Sequence, residues 1–479
     1  MSHLPSRRSF IKGSLSVAAG SLLIAGTKAS GDFRGANEAI RIAIAGINGR
    51  GGSHMGEFGG MKDVQIAYLV DPDTRLFPSK VRTVEKKTGK TPKTETDIRR
   101  VLDDKNVDAI SIATPNHWHS LMTIWACMAG KDVYVEKPCS HNVHEGRIAV
   151  QTARKYNRIV QHGTQSRSGG GWDKVAAVIA SGKLGKLLVS RALCYKKRDS
   201  IGFKETEPVP QGLDFNIWLG PSPEQPFHRN LVHYNWHWFW DTGNGDIGNQ
   251  GVHEMDKARW AIPDATTPKS VISLGGRFGY KDQGQTPNTQ IAILDYGQTQ
   301  LIFEVRGLKT DKYLGQMVGN IFHLEAGTIR GTKFYPKGSE QEAPLPDIEV
   351  THRPGKGNFG NFIAACRSRK KEDLNAEILQ GHLSCIPIHL ANASYRLGED
   401  VPFNPTTKAF GDNKEAYETL AQMEEHLAKD NGLKLDGMSY RLGKKLTFDA
   451  TTETTGDATA DKILHGTYRK GFEVPETVA

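Results

Sequence analysis

The chain has 479 residues, of which 38% are hydrophobic and 24% charged. These values are typical of folded globular proteins and exclude collagen-like, coiled-coil and mostly disordered chains, and the length predicts two or three domains. The net charge is +9, but residues 1–29 carry four basic and no acidic residues. The remainder is therefore only mildly basic, with one dense basic run at Arg367–Lys371. We predict no nucleic-acid partner, because nucleic-acid binding clusters Lys and Arg on one face.

The N-terminus has the pattern of an export signal. The run Ser6-Arg7-Arg8-Ser9-Phe10-Ile11-Lys12 resembles a twin-arginine signal. An apolar stretch diluted by Gly, Ser and Ala follows at residues 13–26, and it is too short to span a bilayer. We therefore predict a twin-arginine signal peptide over residues 1–29, a periplasmic location, and membrane contact only through the export machinery.

Short β-branched runs alternate with amphipathic segments between residues 30 and 165. This alternation is typical of βαβ units and a parallel sheet, whose strands are buried on both faces. The predicted strands are Ile40–Ala45, Val64–Val70, Val107–Ala113, Val133–Val135 and Ile159–His162, and the predicted helices are Thr74–Lys87, His119–Ala129 and Val143–Lys155. Residues 30–165 are thus predicted to form an α/β Rossmann domain.

Longer alternating runs follow residue 165, and they favour antiparallel strands with one covered face. These runs are Leu187–Tyr195, Ser270–Tyr280, Gln290–Asp295, Gln300–Val305 and Ile321–Ile329, and residues 357–397 return to helical spacing. We predict an α+β domain with a mainly antiparallel sheet over residues 166–440. Residues 441–479 are predicted to be a polar C-terminal tail, weakly structured between Thr447 and Ala460.

A glycine-rich turn follows the first predicted strand, with the sequence Gly46-Ile47-Asn48-Gly49-Arg50-Gly51. Such a turn presents backbone N–H groups at a helix start to a pyrophosphate. Asn48 replaces the middle glycine of the usual pattern; Asn tolerates left-handed dihedrals, provided that its side chain points away from the phosphates. Asp71 ends the second strand 20 residues after Gly51, where a carboxylate binds the adenosine ribose and repels a 2′-phosphate. We therefore predict NAD rather than NADP as the cofactor.

Two further motifs end strands of the same sheet. The third predicted strand is followed by Thr114-Pro115-Asn116-His117-Trp118-His119. The fourth predicted strand is followed by Glu136-Lys137-Pro138. Both therefore lie on the carboxyl edge, where ligands bind in such sheets. Lys137 would lie close to the nicotinamide, where partial desolvation would lower its pKa so that it could accept a hydroxyl proton. Pro138 is compatible with a cis bond before it.

Residues 243–256 contain a cluster of glycines and polar side chains. If the segment is helical from Ile247, Asn249 and His253 share one face and could address one substrate hydroxyl. The preceding run His233–Trp240 holds three of the eight tryptophans. Aromatic faces stack on sugar rings, but alternate aromatics in a strand usually face a core, so both roles stay open. Tyr234 and His237 are the candidates for substrate contact.

The metal-binding residue types show no ligand pattern. The five cysteines, at positions 127, 139, 194, 366 and 385, form no CxxC motif and no close pair, which argues against a disulfide framework or a structural zinc site. His141, His144, His382 and His389 have no metal-ligand spacing supported by nearby acids. We predict no metal.

Three motifs in this order resemble those of the glucose-fructose oxidoreductase, inositol dehydrogenase and MocA-type (Gfo/Idh/MocA) superfamily. They are Thr114–His119, Glu136-Lys137-Pro138 and Gly251-x-His253-x-x-Asp256, and the similarity runs from about Arg41 to Leu397. The resemblance implies a Rossmann domain and an α/β domain with an open antiparallel sheet that covers the nicotinamide and forms the interface of a homodimer or homotetramer. It also implies that Lys137 and His253 are catalytic, and that the cofactor is contacted by Asn116, Trp118, His119, Glu136 and Gln165.

One departure from the family pattern affects the chemistry. Sugar and inositol dehydrogenases commonly have Asp four residues before the His, whereas this chain has Asn249. Because an amide cannot take up a proton, Lys137 or His253 must act as the base.

The leading interpretation is an NAD-dependent oxidoreductase that takes hydride from a secondary alcohol of a sugar, glycoside or polyol and holds NAD tightly. The alternative is an NAD-dependent glycosidase or lyase of the same superfamily, which works through a transient keto-sugar. The best-known members of that branch lack the lysine after the glutamate, so Lys137 favours net redox chemistry. A non-catalytic sugar-binding protein would have little reason to retain Lys137 and His253.

Overall fold

The computed structural model describes residues 39–478. The predicted export signal at residues 1–29 lies outside this range and stays a prediction. Within residues 39–478, no helix combines the length and the apolar character needed to cross a membrane.

The first domain is built on a six-stranded parallel sheet. Its strands are β1 (Ile40–Ala45), β2 (Val64–Val70), β3 (Lys93–Glu95), β4 (Ala109–Ile112), β5 (Asp132–Val135) and β6 (Val160–His162). The connecting helices are α1 (Gly51–Gly59), α2 (Phe77–Thr88), α3 (Ile98–Leu102), α4 (His119–Met128) and α5 (Val143–Lys155). The strand order β3-β2-β1-β4-β5-β6 is that of a dinucleotide-binding domain, which confirms the predicted Rossmann fold. The apolar pattern does not indicate β3, because its residues are Lys-Thr-Glu.

The second domain is built on a mixed sheet. Its strands are β7 (Leu187–Tyr195), β8 (Ser270–Gly276), β9 (Thr289–Asp295), β10 (Gln300–Arg306), β11 (Val318–Leu324), β12 (Gly327–Arg330), β13 (Lys333–Pro336), β14 (Glu399–Pro402), β15 (Ser439–Leu442) and β16 (Leu446–Thr447). The order is β13-β12-β11-β7-β10-β9-β8-β15-β14, with β16 beside β8. Among the strand pairs described for this sheet, only β7 and β10 run parallel, and the other pairs are antiparallel. The predicted open, mainly antiparallel sheet is thus confirmed.

The predicted single strand Ile321–Ile329 is wrong. The chain turns at Glu325 and Ala326, and β11 and β12 pair as a hairpin. Gly327 begins β12 with a φ of +150°, and a Cβ there would lie 2.2 Å from the carbonyl oxygen of Tyr335. The reversal coincides with the Gly-rich pair Ala326-Gly327, which is a turn signal in the sequence.

The helices of the second half are α6 (Trp172–Ala180), α7 (Phe215–Leu219), α8 (Gly245–Gly248), α9 (Gly251–Trp260), α10 (Gly357–Ser368), α11 (Ile378–Arg396), α12 (Lys414–Glu425) and α13 (Ala458–His465). α10 packs on the Rossmann domain, because its apolar residues Phe359 and Phe362 share a core with Ile42 and Tyr134. The rings of Tyr134 and Phe359 stack 4.7 Å apart. The two domains are therefore joined by a continuous packed interior.

The residues after Asp457 are folded onto the protein, whereas residues 448–457, within the predicted weakly structured stretch Thr447–Ala460, form only turns and one isolated bridge. α13 begins at an Asp457 cap and buries Ala460 and Leu464. Beyond it, Phe472 packs edge-on against Trp118 of the Rossmann domain, and Arg469 donates hydrogen bonds to the carbonyl oxygens of Asn216 and Gly220. Few apolar residues are enough to hold this segment, because they dock on a surface that the rest of the protein already forms. The composition of the tail does not reveal this docking.

A buried ion pair ties the segment that follows β6 to α9 of the second domain. Arg167, just after β6, donates two hydrogen bonds of 2.9 and 3.0 Å from Nε and one of 2.9 Å from Nη2 to Asp256 on α9. The Ser384 hydroxyl donates a further bond of 2.6 Å. Burial alone would raise the pKa of Asp256, but Arg167 outweighs it and lowers this pKa to about 2. Asp256 is therefore charged throughout the neutral range.

We expect Asp256→Asn to lower the free energy of unfolding by about 3–5 kcal/mol, because Arg167 would be left buried without a counter-charge. Denaturant titration measures the change. Asp400→Asn is the matched control, since the pair of Arg441 and Asp400 is largely exposed and should contribute at most about 1 kcal/mol. In the wild type, the stabilisation from Asp256 should be complete above about pH 4 and fade as the pH falls toward its folded pKa. Equal losses in the two variants would contradict the stabilising role of the buried pair.

Candidate active site

A cleft with a cavity volume of about 310 Å³ opens along the carboxyl edge of the parallel sheet. Its floor comes from the segments that follow β1, β2, β4 and β5, and its opposite wall comes from the second domain. The predicted site residues that line it are Gly46, Asn48, Gly49, Arg50, Asp71, Thr114, Asn116, Trp118, His119, Glu136, Lys137, Tyr234, His237 and Asn249. Gly51, Gln165 and His253 are not among the lining residues.

The glycine-rich turn is shaped by two close backbone approaches. Gly46 has a φ of +80°, and a Cβ there would lie 2.5 Å from the Ala113 carbonyl oxygen. A Cβ on Gly51 would lie 1.9 Å from the carbonyl oxygen of Gly46. The left-handed residue of the turn is therefore Gly46, whereas Asn48 has a negative φ and an exposed side chain. Asn48 replaces glycine without strain because its position does not require left-handed dihedrals.

Asp71 fixes the end of β2 to this turn. Its carboxylate accepts hydrogen bonds of 3.0 Å from the backbone N–H groups of Ile47 and Asp73. Burial raises the pKa of Asp71, and these two bonds oppose the shift. Asp71 thus shapes the turn as well as facing the cleft.

Glu136 is the buried charge at the centre of the cleft. Arg50 Nε donates to its Oε1 at 2.7 Å, and His54 Nε2 lies 3.1 Å from the same oxygen. The other ring nitrogen of His54 lies 2.7 Å from the Ser111 hydroxyl, so the imidazole can donate to Glu136 and accept from Ser111. Burial alone would raise the pKa of Glu136, but His54, Arg50 and Lys137 hold it well below its usual range. Glu136 is therefore an anion that couples the glycine-rich turn to the end of β5.

Lys137 projects from the end of β5 into the cleft. Its Nζ donates to the backbone carbonyl of Asn249 at 3.0 Å and lies 3.5 Å from Asn249 Oδ1. Burial lowers the pKa of Lys137, while the neighbouring Glu136 carboxylate opposes this effect. The Lys137–Pro138 peptide bond is cis, as Pro138 allowed. Lys137 therefore offers a nitrogen with reduced affinity for its proton.

The predicted continuous helix through Asn249 and His253 is wrong. α8 ends at Gly248, Asn249 has φ −87° and ψ −85°, and α9 begins at Gly251. The backbone N–H of His253 donates to the carbonyl of Gln250, so the carbonyl of Asn249 is free to accept from Lys137. The glycines on both sides of Asn249 favour this break, because glycine destabilises a helix interior.

His253 lies in the first turn of α9 and is half-buried. Its imidazole makes no hydrogen bond to another described residue. Burial, together with the charge of Lys137, lowers the pKa of His253 to about 3, so the ring is neutral at physiological pH. Gln165, after β6, is exposed.

The aromatic run forms a short 3-10 helix at Asn235–Trp238 rather than a strand. Trp236 and Trp238 are buried, while Tyr234 is 56% exposed and faces the cleft. His237 stacks on Trp236 with centroids 3.6 Å apart, and burial lowers its pKa to about 3. Trp236 and Trp238 are therefore packed in the interior, whereas Tyr234 and His237 lie at the cleft, where their contact with a substrate stays a prediction.

The Thr114–His119 motif is mostly engaged within the protein. Trp118 Nε1 donates to the carbonyl of Trp218 at 3.0 Å, and Asn116 Nδ2 donates to Asn244 Oδ1 at 2.9 Å. The ring nitrogens of His119 lie 2.6 and 2.8 Å from the carbonyl oxygens of Pro138 and Thr114. These contacts hold the cleft walls in register. In contrast, Thr114 Oγ1 is buried without a hydrogen-bond partner among the described residues.

A segment of the second domain, residues 209–237, forms the roof over the β2 end of the cleft; we name it the covering segment. The backbone N–H of Thr74 donates to Gly212 O at 2.8 Å, and that of Asp214 donates to Pro72 O at 2.9 Å. His233 Nε2 lies 2.9 Å from an oxygen of Asp73. The covering segment has an apolar core of its own around Phe215, Trp218, Phe227, Leu231 and Trp236. It is thus a packed element rather than a loose loop.

Sequence reasoning missed several of these groups. His54 lies four residues after Arg50 on one helix face, and this spacing could have indicated a shared partner. Arg198 donates two hydrogen bonds of 2.7 Å to Asp246. Neither this pair nor the contact between His233 and Asp73 can be recognised from neighbouring residues in the sequence. These pairs join positions that only the fold brings together.

The cleft fits a dinucleotide. A Cβ at Gly46 or Gly51 would collide with a backbone carbonyl group, so these two glycines allow the tight turn at the start of α1 that is typical of pyrophosphate-binding turns. The unpartnered Thr114 hydroxyl gives the cleft a polar group without a protein partner. Residues 40–164 match the model described as "Oxidoreductase family, NAD-binding Rossmann fold", and residues 173–429 match "Oxidoreductase family, C-terminal alpha/beta domain". The chain belongs to the Gfo/Idh/MocA oxidoreductase family. Its cofactor is NAD.

Curated relatives match only part of the chain. A glycosyl hydrolase family 109 protein of Shewanella sp. (strain ANA-3) is 28% identical over 122 residues, which cover 25% of this chain and 27% of the relative. An alpha-N-acetylgalactosaminidase of Shewanella oneidensis is 27% identical over 122 residues with the same coverage. The chain thus spans about a quarter of the length of these relatives.

Solved structures of the Gfo/Idh/MocA fold match more of the chain. The WlbA dehydrogenase of Bordetella pertussis, crystallised with NADH and UDP-GlcNAcA, is 17% identical with a TM-score of 0.55, covering 74% of this chain and 97% of that one. GenD2 from gentamicin A biosynthesis, crystallised with NAD, is 16% identical with a TM-score of 0.51, covering 74% and 93%. At these identities the likeness concerns the fold.

We expect Asp71→Asn to narrow the preference for NAD over NADP by about fivefold or more, because a like charge near the 2′-phosphate costs on the order of 1 kcal/mol or more. Asn keeps one oxygen to accept from the turn. Asp71→Ala should also weaken NAD binding, since Ile47 and Asp73 lose their acceptor. Titration of both nucleotides into protein that has been unfolded, freed of nucleotide and refolded measures this, and a wild type that prefers NADP would contradict the assignment.

Proposed function

We propose that this chain is an NAD-dependent oxidoreductase that acts on a secondary alcohol of a sugar, glycoside or polyol. The single observation that supports this most strongly is the position of Lys137, whose amine lies in the cleft beside the Asn249 carbonyl and next to the buried Glu136. An amine that is partly desolvated and oriented by one acceptor suits proton transfer with a substrate hydroxyl. NAD, when bound, supplies the hydride acceptor.

The chain's own residues then have separate tasks. Lys137 takes up the hydroxyl proton as the alcohol is oxidised, and the Asn249 carbonyl holds the amine in place. His253, neutral and without a described hydrogen-bond partner, assists from the first turn of α9. The negative charge of Glu136 attracts the side chain of Lys137. Arg50 and His54 hold the Glu136 carboxylate in position.

Tyr234 and His237 suit the recognition of a sugar. Tyr234 presents an exposed ring to the cleft and its hydroxyl lies 3.4 Å from Arg198 Nη1. His237 has its Nδ1 2.5 Å from the Tyr234 carbonyl oxygen, which fixes the ring orientation. An aromatic face next to hydrogen-bonding groups is the usual arrangement for a carbohydrate.

We further propose that NAD stays bound through many turnovers. The predicted twin-arginine signal would carry the folded protein, with its cofactor, to a compartment without a free NAD pool. A bound cofactor must then be restored in place, by a second substrate, a redox partner or return of the hydride to the same sugar. The covering segment supports retention, because a roof held to Pro72, Asp73 and Thr74 slows release, and affinity differences are expressed mostly in dissociation rates.

An NAD-dependent glycosidase is the second candidate. The glycosyl hydrolase relatives favour it, and return of the hydride to the same sugar would fit a cofactor that never leaves. Both candidates begin with the same oxidation at the cleft. They differ in the product, which is a keto sugar for the oxidoreductase and a released aglycone for the glycosidase.

We expect Lys137→Ala to lower turnover by about 10²-fold or more, as for loss of a positioned acid–base group, while bound nucleotide is retained. The holoprotein is assayed against free sugars, polyols and nitrophenyl glycosides, with keto sugar and aglycone measured together. Lys196→Ala is the matched control, since Lys196 Nζ contacts Gln250 Oε1 from outside the cleft. Near-normal turnover in Lys137→Ala would refute the role of this lysine.

The same assay separates the neighbours of Lys137. His253→Ala should be severely impaired. Asn249→Ala should lose less than about tenfold, because the backbone carbonyl that holds Lys137 remains and only a neutral side-chain hydrogen bond is lost.

Protein purified from the exported fraction should carry nearly one NAD per chain through extensive dialysis, detected by absorbance after denaturation. His233→Ala should release it faster by about tenfold, because a hydrogen bond to a charged carboxylate is lost from the roof. His228→Ala is the matched control: it lies in the same covering segment, its Nδ1 has no described partner, and it does not line the cleft. Folded wild type that is free of nucleotide and needs millimolar NAD in every assay would contradict retention.

A further inference from the structure

Three metal-binding side chains meet in the interior below the cleft. Cys139 lies two residues after Lys137, His162 ends β6, and Cys385 lies in the middle of α11 of the second domain. Their ligand atoms lie within 4.8 Å of one another. All three side chains are buried, with at most 1% of their surface exposed.

His162 is the residue that ordinary packing does not explain. Neither ring nitrogen has a hydrogen-bond partner among the described residues, although buried polar atoms are nearly always paired. Its backbone N–H donates to Ala376 O at 2.8 Å, and a Cβ on Gly381 would lie 2.7 Å from the His162 ring. The glycine therefore lets α11 approach closely, and the fold holds the ring next to the two thiols.

The sulfur atoms have the spacing of two ligands on one ion. Cys139 Sγ and Cys385 Sγ lie 3.8 Å apart. Zinc–sulfur bonds of about 2.3 Å in a tetrahedral site place two thiolate sulfurs roughly 3.8 Å apart. A disulfide between Cys139 and Cys385 would require the two sulfur atoms to move much closer together. It would also leave both ring nitrogens of His162 without a hydrogen-bond partner.

We propose that Cys139, His162 and Cys385 form a buried structural metal site for Zn²⁺. Thiolate and imidazole ligands suit this ion, and they occupy three of its four tetrahedral positions, leaving one for a water molecule. Binding releases the two thiol protons to solvent, so that Zn²⁺, two thiolates and a neutral imidazole carry no net charge. A neutral set suits a buried site, where an uncompensated charge is costly. Cu⁺ with the same ligands would leave one negative charge.

The ion would join three segments from both domains. It would connect the Lys137–Cys139 segment, the end of β6 and α11, and so fix the catalytic lysine against the second domain. Since the site is buried, the ion enters as the chain folds. Loss of the ion should therefore require unfolding.

Elemental analysis of the holoprotein, produced with zinc in the medium and purified without a metal-affinity tag, tests the site. We expect about one zinc ion per chain that survives chelator dialysis and is released on denaturation. Cys385→Ala should lose the zinc. Cys127→Ala is the matched control, because it also exchanges a buried thiol, 0% exposed on α4, for a methyl group, and it should keep the zinc.

Two wild-type measurements keep the proposal testable if Cys385→Ala does not fold. Protein produced with cobalt should show thiolate-to-cobalt charge-transfer absorption. The intact mass of the denatured, unreduced wild type should show all five thiols unoxidised. Metal-free wild type, zinc retained in Cys385→Ala, stoichiometric copper in place of zinc, or a mass two hydrogens lower from a Cys139–Cys385 disulfide would each overturn the proposal.

Discussion

The arrangement of the cleft depends on how the buried negative charge of Glu136 is neutralised. A carboxylate in this position is costly unless it is paired and hydrogen-bonded. Arg50 comes from the glycine-rich turn, His54 from α1, and Lys137 from the adjacent position at the end of β5. The same charge therefore connects the glycine-rich turn to the lysine that projects into the cleft.

The second domain supplies the wall of the cleft that lies opposite the edge of the parallel sheet. Its broken helix at Asn249 supplies the carbonyl that orients Lys137, and the covering segment closes the cleft over the β2 end. Arg167, in the segment after β6, and Asp256 of the second domain form a buried pair that fixes this connection between the domains. The cleft is thus part of one packed structure, and the proposed retention of NAD would be a consequence of that packing. The proposed zinc site lies at the same junction.

Local sequence patterns predicted five of the six strands of the parallel sheet and most of the cleft floor. Gly46, Asp71, Asn116, Glu136 and Lys137 each follow a strand of that sheet, and the carboxyl edge of a parallel sheet brings such positions together.

Contacts between distant positions could not be predicted in this way. Thr74 and Gly212 are 138 positions apart, and Cys139 and Cys385 are 246 apart. The expectation of no metal depends on spacing along the chain, which says nothing about such a cluster. The helix through Asn249 was mispredicted because periodicity does not record the break that its flanking glycines permit. Phe472 packs on Trp118 although the C-terminal composition is polar.

A crystal structure of the protein as purified, without added nucleotide, tests most directly whether the cleft retains NAD with its nicotinamide end beside Lys137. We expect density for NAD in the cleft, with the adenosine end beside Asp71 beneath the covering segment and the nicotinamide end beside Lys137. A well-ordered protein with no nucleotide in the cleft, or with the nicotinamide directed away from Lys137, would contradict both the retention of the cofactor and the role of the lysine.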